Sequence, residues 1–337
     1  MHKSMMVAVK KDCSRMELLK PPLTTILGIL FFATSVTATL GNSLVLIVVR
    51  KMKKKRPLSN LIISSLALSD FLVGTILGPL TSWQQIDFPT LSSCIIDHVR
   101  AYFVVLFVGS SVMTLAVISY DRFILLSKLT NYNKYITKKK ILLLISLCWI
   151  LPAFIPFIRQ INSNIYLVNI FLLFVTPLAV LGIYYYFIIK AVHEKEKMLW
   201  YQIKNVVEIS VTVSSQTISE NTIDFDDISN KQKDDVSIKQ KINNSIIRKE
   251  RTSIALGKSV TVLIVCYVCC ITPMNIWITL DMLQSTRKVY DFEIAYAIAM
   301  LCMQINSTIN PMIYFSKNPD FKRGLKKLFT KKSEYKK

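Results

Sequence analysis

Long apolar stretches alternate with short polar segments along most of the chain. Seven of these stretches reach the roughly 20 residues that an α-helix needs to cross the hydrocarbon core of a bilayer. They fall at residues 23–49, 58–82, 96–126, 141–160, 165–192, 257–283 and 290–315. The pattern predicts an all-α protein, a seven-transmembrane helix bundle embedded in a lipid bilayer.

Positive charge is concentrated in the loops on one side of this predicted bundle. The segment RKMKKKR at 50–56 follows the first stretch, and Lys134 with Lys138 to Lys140 precedes the fourth. The loop at 84–93 has no Lys or Arg. Because loops rich in Lys and Arg stay on the cytoplasmic side, we predict a multi-pass plasma-membrane protein with its N-terminus outside and its C-terminus in the cytoplasm.

The polar segments divide the chain into three parts. Residues 1–22 are the predicted extracellular tail, 23–329 the helical domain and 330–337 the cytoplasmic tail. The segment 193–255 within the domain is long and polar, which predicts a cytoplasmic loop with a disordered middle and helical ends. At 315–329, FSKNPDFKRGLKKLF predicts a short amphipathic helix on the inner leaflet. A solvated basic tail is the alternative for that segment.

Composition supports a membrane protein and argues against several other classes. Hydrophobic residues make up 52% of the chain, and only 8 of 337 residues are Gly. The net charge of +21 comes mainly from short inter-span segments that act as topology signals, so we expect no nucleic-acid partner. The histidines His2, His98 and His193 stand apart, and no metal-ligand spacing or nucleophile–base pattern is visible. We therefore predict that the protein is not an enzyme.

The seven cysteines fall into two groups. Five lie inside apolar stretches and are predicted packing residues: Cys148, Cys266, Cys269, Cys270 and Cys302. Cys13 and Cys94 are predicted to face the oxidising side, where a Cys13–Cys94 bridge and two free thiols are the alternatives.

Each apolar stretch also carries a polar, aromatic or proline landmark. In chain order these are Gly41-Asn42, Leu66 to Asp70 (LALSD), Asp121-Arg122-Phe123, Trp149, Pro177 with Tyr185, Cys270 with Pro273, and Asn306-Ser307 followed by Asn310 to Tyr314 (NPMIY). Taken together the set resembles the rhodopsin-like (class A) family of G-protein-coupled receptors over residues 23–329. The resemblance implies a receptor that transduces binding of an extracellular ligand into activation of a heterotrimeric G protein.

At the inner end of the bundle the resemblance implies a coupling switch. Arg122 would leave Asp121 on activation and meet Tyr185 and Tyr314. For a span considered alone, an arginine that only fixes the depth of the helix is the alternative. Pro177, Pro273 and Pro311 interrupt helix hydrogen bonding and are predicted hinges.

Asp70 lies in the middle of the second stretch, where a carboxylate costs about 2.5–3.5 kcal/mol unless it faces the bundle interior. Counting from the landmarks places five polar residues at similar depth: Asn42, Ser111, Asn306, Ser307 and Asn310. The resemblance implies that this cluster holds a sodium ion with water. A hydrogen-bonded network without an ion is the alternative, and we expect no other cofactor.

Several residues depart from the family pattern. Ile271 and Tyr267 stand where the family usually has Trp and Phe, and Ser253 stands where an acid often pairs with the switch arginine, with Glu250 one turn earlier. We therefore expect a weak latch, that is, few interactions that hold Arg122 in the inactive state, and high basal signalling.

The ligand pocket is predicted from the outer halves of the spans. Its predicted lining is Asp97, Val104, Val108, Ile271, Met274 and Trp277, with Gln304 at its edge. Amine receptors carry Asp at the position of Val104, and opsins carry a seventh-span Lys that this chain lacks, so a typical monoamine and retinal are excluded. Small molecules (nucleoside-like ones among them), lipid-like ligands and short peptides remain open.

The outer surface shows a further, partial likeness. Asp97 replaces the cysteine that usually opens the third span, and the fourth-to-fifth loop has none, so the family's common outer disulfide cannot form. These features are partly similar to melanocortin and adenosine-type receptors. Two other classes stay open: a receptor-like membrane protein that no longer signals, and a transporter or channel with Asp70 and Asn310 along an ion path.

Overall fold

The fold is described by a computed structural model. It describes residues 22–51, 57–86, 94–127, 132–219, 254, 258, 261–280 and 290–330. Every regular element within these residues is a helix. Cys13, Glu250 and Ser253 lie outside them, as does the side chain of Cys94. The proposed Cys13–Cys94 bridge, the partner of Arg122 from the sixth helix and the domain boundaries therefore stay predictions.

The first three spans occupy the N-terminal part of the described chain. The first is Leu23–Lys51. The second joins Pro57–Leu72 and Gly78–Ile86 through a π-helical turn at Val73–Leu77, and the third joins Cys94–Phe103 and Gly109–Ser127 through a π-helical turn at Val104–Val108. A one-turn helix, Tyr132–Tyr135, follows the third span.

The later spans complete the bundle. They are Lys138–Ile161, Ser163–Ser219, Thr261–Leu280 and Tyr290–Lys317. The fifth helix continues to Ser219, further into the predicted cytoplasmic loop than the sequence pattern indicated. Six of the described helices are long and apolar enough to cross a membrane, and the helix Tyr290–Lys317 follows them as the seventh span. The predicted seven-helix bundle is confirmed.

The second and third spans form the centre of the bundle. In each, 61% of the most apolar stretch is buried inside the protein, against 17% in the fourth span. The third span packs against the second, fourth and fifth spans. Its burial places Asp121 and Arg122 inside the protein rather than at its lipid-facing surface.

Small residues let the first two spans approach closely. A Cβ added to Gly74 would lie 2.7 Å from the backbone N of Thr39 and 2.9 Å from the carbonyl oxygen of Ser35. The Ser35 hydroxyl donates to the Gly74 carbonyl oxygen, and Ser82 donates to the Gly28 carbonyl oxygen at 2.7 Å. Such contacts replace the hydrophobic effect as the force that holds helices together in lipid.

A final helix, Pro319–Thr330, follows the seventh span. Phe321 is buried and its ring stacks on Tyr314 with 5.3 Å between ring centroids. Lys322, Arg323, Lys326 and Lys327 are exposed. One apolar and one basic face make this the predicted amphipathic helix.

Candidate functional site

A fully buried carboxylate joins three spans near the middle of the bundle. Oδ1 of Asp70 accepts hydrogen bonds from Ser111 of the third span at 2.9 Å and Ser307 of the seventh at 2.8 Å. Oδ2 accepts from Nδ2 of Asn310 at 2.6 Å. Asp70 has no exposed surface. The three donors supply the hydrogen bonds that a carboxylate needs in a water-poor interior.

The other two predicted members of this cluster differ in their contacts. Nδ2 of Asn42 donates to the carbonyl oxygens of Ala38 and Ser307, both at 2.9 Å, and so ties the first span to the seventh. Asn306 is buried, but within the described chain it makes no hydrogen bond to Asp70. The structure therefore brings Ser111, Ser307 and Asn310 to the carboxylate and leaves Asn306 beside it.

The oxygen atoms of this cluster fit a small cation. Oδ1 of Asn42 is buried and has no hydrogen-bond partner among the described residues. One carboxylate, two hydroxyl oxygens and this amide oxygen are the hard ligands that a small cation such as sodium prefers. The residues present thus fit the ion that the resemblance implies. The described part of the chain holds no group of three or more His, Cys, Asp or Glu residues suited to a metal.

The first and seventh spans are in close contact at Gly41 and Pro311, next to Asn42 and Asn310 of this cluster. A Cβ on Gly41 would lie 2.9 Å from Cγ of Pro311. Pro311 is buried inside the helix Tyr290–Lys317, and Pro177 is buried inside Ser163–Ser219. Pro273 lies within the described part of the sixth span. All three prolines therefore lie within continuous helices, and their role as hinges stays a prediction.

The pair Asp121 and Arg122 lies near the C-terminal end of the third span. Nε of Arg122 is 3.7 Å from Oδ2 of Asp121, and both residues are buried. Asp121 also accepts hydrogen bonds from the hydroxyls of Ser59, at 3.0 Å, and Tyr132, at 2.5 Å. Within the described residues Nε and Nη1 of Arg122 have no hydrogen-bond partner. The arginine is therefore close to its carboxylate without a hydrogen bond to it.

Tyr132 is held as a hydrogen-bond donor by its surroundings. Burial, and then the negative charge of Asp121, raises the pKa of the Tyr132 phenol above its ordinary value of 10.0. The phenol therefore keeps its proton at physiological pH. Sequence reasoning missed both Tyr132 and Ser59, because neither belongs to a motif and only the fold brings them to Asp121.

The two tyrosines predicted to meet Arg122 make no hydrogen bond to it within the described part of the chain. Tyr314 is buried, stacks on Phe321, and its hydroxyl has no hydrogen-bond partner in the described part of the chain. Tyr185 is half-buried on the fifth span and makes no hydrogen bond to Arg122 or Tyr314 among the described residues. The structure therefore brings Asp121 and Arg122 together. The meeting of Arg122 with Tyr185 and Tyr314 on activation stays a prediction.

The outer half of the bundle contains most of the predicted pocket residues. Val108, Ile271 and Met274 are buried and belong to one apolar core, and Val104 packs against that core. Trp277 packs on Tyr296 with 4.6 Å between ring centroids. The side chain of Asp97 lies outside the described residues.

Gln304 and Arg100 make side-chain hydrogen bonds that the sequence pattern did not predict. Nε2 of Gln304 donates to the carbonyl oxygen of Phe31 and the hydroxyl of Thr34, both at 2.8 Å, so Gln304 is hydrogen-bonded to the first span. Arg100, not singled out from the sequence, is buried and its Nη1 lies 3.3 Å from the hydroxyl of Tyr296. In the sequence, the only indication that Arg100 is buried was its position just before the apolar part of the third span.

Comparison with known proteins identifies the class. The sequence profile of the family described as "7 transmembrane receptor (rhodopsin family)" matches residues 41–164 and 155–314. These matches cover more than half of the chain. The chain therefore belongs to the rhodopsin family of seven-transmembrane receptors, which confirms the resemblance seen in its motifs. Proteins of this family are receptors rather than enzymes.

The individual relatives differ in the ligands that their names give. Neuropeptide receptor 22 of Caenorhabditis elegans is 32% identical over 133 residues, which are 38% of this chain and 31% of the relative. Dopamine receptor 4 of the same organism is 32% identical over 39% of this chain and 26% of its own length. Octopamine receptor beta-2R of Drosophila melanogaster is 22% identical over 86% of this chain and 58% of its own length. The chain spans less than two thirds of each of these relatives.

Proposed function

We propose that this chain is a G-protein-coupled receptor of the plasma membrane that transduces binding of an extracellular ligand into activation of a heterotrimeric G protein. The observation that carries the proposal is the state of Arg122. Its guanidinium is buried at the inner end of the third span, and two of its nitrogens have no hydrogen-bond partner within the described residues. The neighbouring carboxylate of Asp121 instead accepts hydrogen bonds from Ser59 and Tyr132. Because a buried guanidinium gains strongly from a new acceptor, Arg122 is suited to bind a partner that enters from the cytoplasm.

The Asp70 cluster supplies a route between the outer pocket and this inner end. It joins the second, third and seventh spans through the three hydrogen bonds to Asp70. A shift of the third or seventh span on ligand binding would have to lengthen at least one of these bonds. We propose that a sodium ion stabilises the resting arrangement and that Pro177, Pro273 and Pro311 allow the inner halves of their helices to move.

The ligand is proposed to be a small molecule, a lipid-like molecule or a short peptide, and not a typical monoamine. Val104, Val108, Ile271 and Met274 offer apolar contacts without charge. Between His98 and Tyr120 the third span has no acidic residue to pair with a protonated amine. This absence supports the proposal even though relatives of the chain include dopamine and octopamine receptors.

The proposed orientation places residues 1–22 outside and the 193–255 loop and 330–337 tail in the cytoplasm. An epitope tag at each terminus tests it. On intact cells, antibody should reach the N-terminal tag alone, and the C-terminal tag should stain only after permeabilisation. Staining of the C-terminal tag on intact cells would contradict the proposed orientation.

Ligand class and coupling are tested together in cells that express the chain. We expect resonance energy transfer between G-protein subunits to report basal activation above that of empty-vector cells. A lipid-like, peptide or nucleoside-like ligand should change this signal at lower concentration than dopamine or octopamine. Monoamine activation at submicromolar concentration would contradict the ligand proposal. Silence with every G-protein subtype, at confirmed surface expression, would favour the alternative of a receptor-like protein that no longer signals.

The non-signalling alternative has one structural observation in its favour. Ile271 is completely buried at the position where the family usually carries an aromatic trigger. Substitution of a smaller, β-branched side chain removes the aromatic surface that a ligand would displace. Ile271 is also a reason for expecting a weakly stabilised inactive state with high basal signalling. Basal G-protein activation above that of empty-vector cells therefore distinguishes a signalling receptor from a receptor-like protein that no longer signals.

A further inference from the structure

A cavity lies between the fifth and sixth spans. It has a volume of about 260 Å³ and is lined by Val175 and Leu178 of the fifth span and by Thr272, Asn275, Ile276 and Thr279 of the sixth. Among the described residues, none that lines it is charged.

One side chain in this cavity has unmet hydrogen bonds. The hydroxyl of Thr272 donates to the carbonyl oxygen of Val268 at 2.6 Å, and that of Thr279 donates to the carbonyl oxygen of Asn275 at 2.8 Å. Asn275 is only 8% exposed, yet neither Oδ1 nor Nδ2 of its amide has a partner among the residues that the structure describes. Leaving both a donor and an acceptor unsatisfied in an apolar environment is costly.

The position of Asn275 on its helix shows which way the cavity opens. Ile271, Met274 and Ile278 are buried and form the face directed into the bundle. Ile276 and Leu280 are 54% and 40% exposed, so they form the face that meets lipid. Because successive residues turn by about 100° around a helix, Asn275 lies on the flank between these faces, against the fifth span. The cavity is therefore open to the bilayer.

The lining indicates the chemistry of an occupant. An amide that can donate and accept suits a head group that does both, and the lack of lining charge favours a neutral one. The volume lies below the roughly 300–1,000 Å³ of sites that enclose a drug-sized ligand. It suits one end of a molecule whose remainder lies in the bilayer along Ile276 and Leu280.

We propose that this cavity binds a neutral single-chain lipid with a hydroxyl or amide head group, which enters from the bilayer and hydrogen-bonds to Asn275. The test uses the full-length chain in phosphatidylcholine nanodiscs and a monoacylglycerol that carries a diazirine and an alkyne. Labelling of the fifth and sixth spans is quantified by mass spectrometry. It requires no G protein, so its outcome is independent of the signalling function proposed above.

Three variants separate specific from general lipid contact. Asn275→Leu removes the hydrogen-bonding amide at similar size, and Leu178→Trp fills the cavity while keeping Asn275. Asn169→Leu is the matched control, because Asn169 is on the fifth span and its Nδ2 donates at 2.8 Å within its own helix, to the carbonyl oxygen of Ile165. We expect Asn275→Leu and Leu178→Trp to lower labelling about fivefold to tenfold, and Asn169→Leu to leave it unchanged.

Three results would overturn the proposal. Equal labelling of wild type and Asn275→Leu would show that the amide does not bind the probe. Competition by a fatty-acid anion at the same concentration as unlabelled monoacylglycerol would contradict the neutral head group. Loss of a dimer in Asn275→Leu, seen by single-molecule photobleaching with labelling unchanged, would show that Asn275 pairs with a second copy of the chain instead.

Discussion

The phenol of Tyr132 donates a 2.5 Å hydrogen bond to Oδ1 of Asp121, while Nε of Arg122 lies 3.7 Å from Oδ2 of the same carboxylate. The loop that follows the third span thus competes with Arg122 for Asp121. Ser59 of the second span adds a further donor at 3.0 Å. A carboxylate shared in this way holds its neighbouring arginine weakly, which agrees with the weak latch expected from the sequence.

Removing the phenol should strengthen the latch. In Tyr132→Phe the freed Oδ1 becomes available to Arg122, and a charge-assisted hydrogen bond contributes about 1.5–3 kcal/mol. We expect basal G-protein activation to fall about threefold to tenfold in a resonance-energy-transfer assay at matched surface expression. Tyr135→Phe, on the same one-turn helix, is the control. Basal activation that stays the same or rises in Tyr132→Phe would show that the phenol does not restrain the pairing.

The same phenol gives a pH dependence. Because burial and the charge of Asp121 raise the pKa of Tyr132, the folded protein binds the phenolic proton more tightly than the unfolded chain does. Its contribution to stability is complete below pH 10.0, the ordinary pKa, and is lost as the pH rises above it. The difference in unfolding temperature between wild type and Tyr132→Phe should therefore be constant from pH 6 to 9, and above about pH 10 the unfolding temperature of wild type should fall relative to that of Tyr132→Phe. A difference that changes between pH 6 and 9 would contradict this assignment.

Close packing of the first two spans should be sensitive to a single methyl group. In Gly74→Ala the new Cβ would lie 2.7 Å from the backbone N of Thr39, and backbone atoms cannot move aside as a side chain can. Overpacking of this kind costs about 1–3 kcal/mol. The matched control is Gly182→Ala, since a Cβ at Gly182 meets nothing within 4 Å and alanine favours the helix.

Thermal unfolding in detergent measures the difference between these two variants. We expect Gly74→Ala to unfold at lower temperature than wild type, and Gly182→Ala at the same or a higher temperature. Equal unfolding temperatures for the two variants would mean that the first and second spans are not packed as described.

Tyr267 of the sixth span carries a buried hydroxyl whose cost to stability can be tested. Its side chain is fully buried, and its hydroxyl has no hydrogen-bond partner in the part of the chain described. Tyr267→Phe removes this unmet group, and we expect a gain of about 1 kcal/mol, or about 1–2 °C in unfolding temperature. Tyr186→Phe is the control, because Tyr186 is 62% exposed on the fifth span. A lower unfolding temperature in Tyr267→Phe would indicate that the hydroxyl contributes to the resting state.

The proposed ion at Asp70 can be tested by stability in different salts. A ligand that binds only the folded state raises its stability with concentration. Replacing choline chloride by sodium chloride at equal ionic strength should raise the unfolding temperature of wild type and leave that of Asp70→Asn unchanged. Absence of any difference between the two salts for wild type would favour the hydrogen-bonded network without an ion.

Much of the architecture could be predicted from the sequence, because the length of an apolar stretch directly reflects the thickness of a bilayer. Ser111, Ser307 and Asn310 could be placed near Asp70 by counting along the spans from the landmarks, since a mid-bilayer carboxylate needs partners. Contacts that depend on the direction in which a side chain leaves its helix could not be predicted from the sequence. Asn306 lies beside the cluster without bonding to Asp70, and Gln304 turns toward the first span.

Contacts made by loops and helix flanks were also beyond the sequence pattern. Tyr132 reaches Asp121 from a one-turn helix that no periodicity indicated. Asn275 directly follows Met274, which is buried in the bundle interior. Because neighbouring helix positions point about 100° apart, Asn275 lines the cavity beside the fifth span instead. The π-helical turns in the second and third spans shift side-chain directions further, and nothing in the apolar pattern predicts them.

The most direct test of the proposed receptor function is nucleotide exchange by a purified heterotrimeric G protein, with the chain in nanodiscs and no added ligand. Wild type is compared with Arg122→Ala at equal amounts and with empty nanodiscs. The account predicts that wild type accelerates exchange at least severalfold over empty nanodiscs and that Arg122→Ala abolishes the acceleration. Equal acceleration by wild type and Arg122→Ala would contradict the central claim that the buried Arg122 beside Asp121 is the coupling switch.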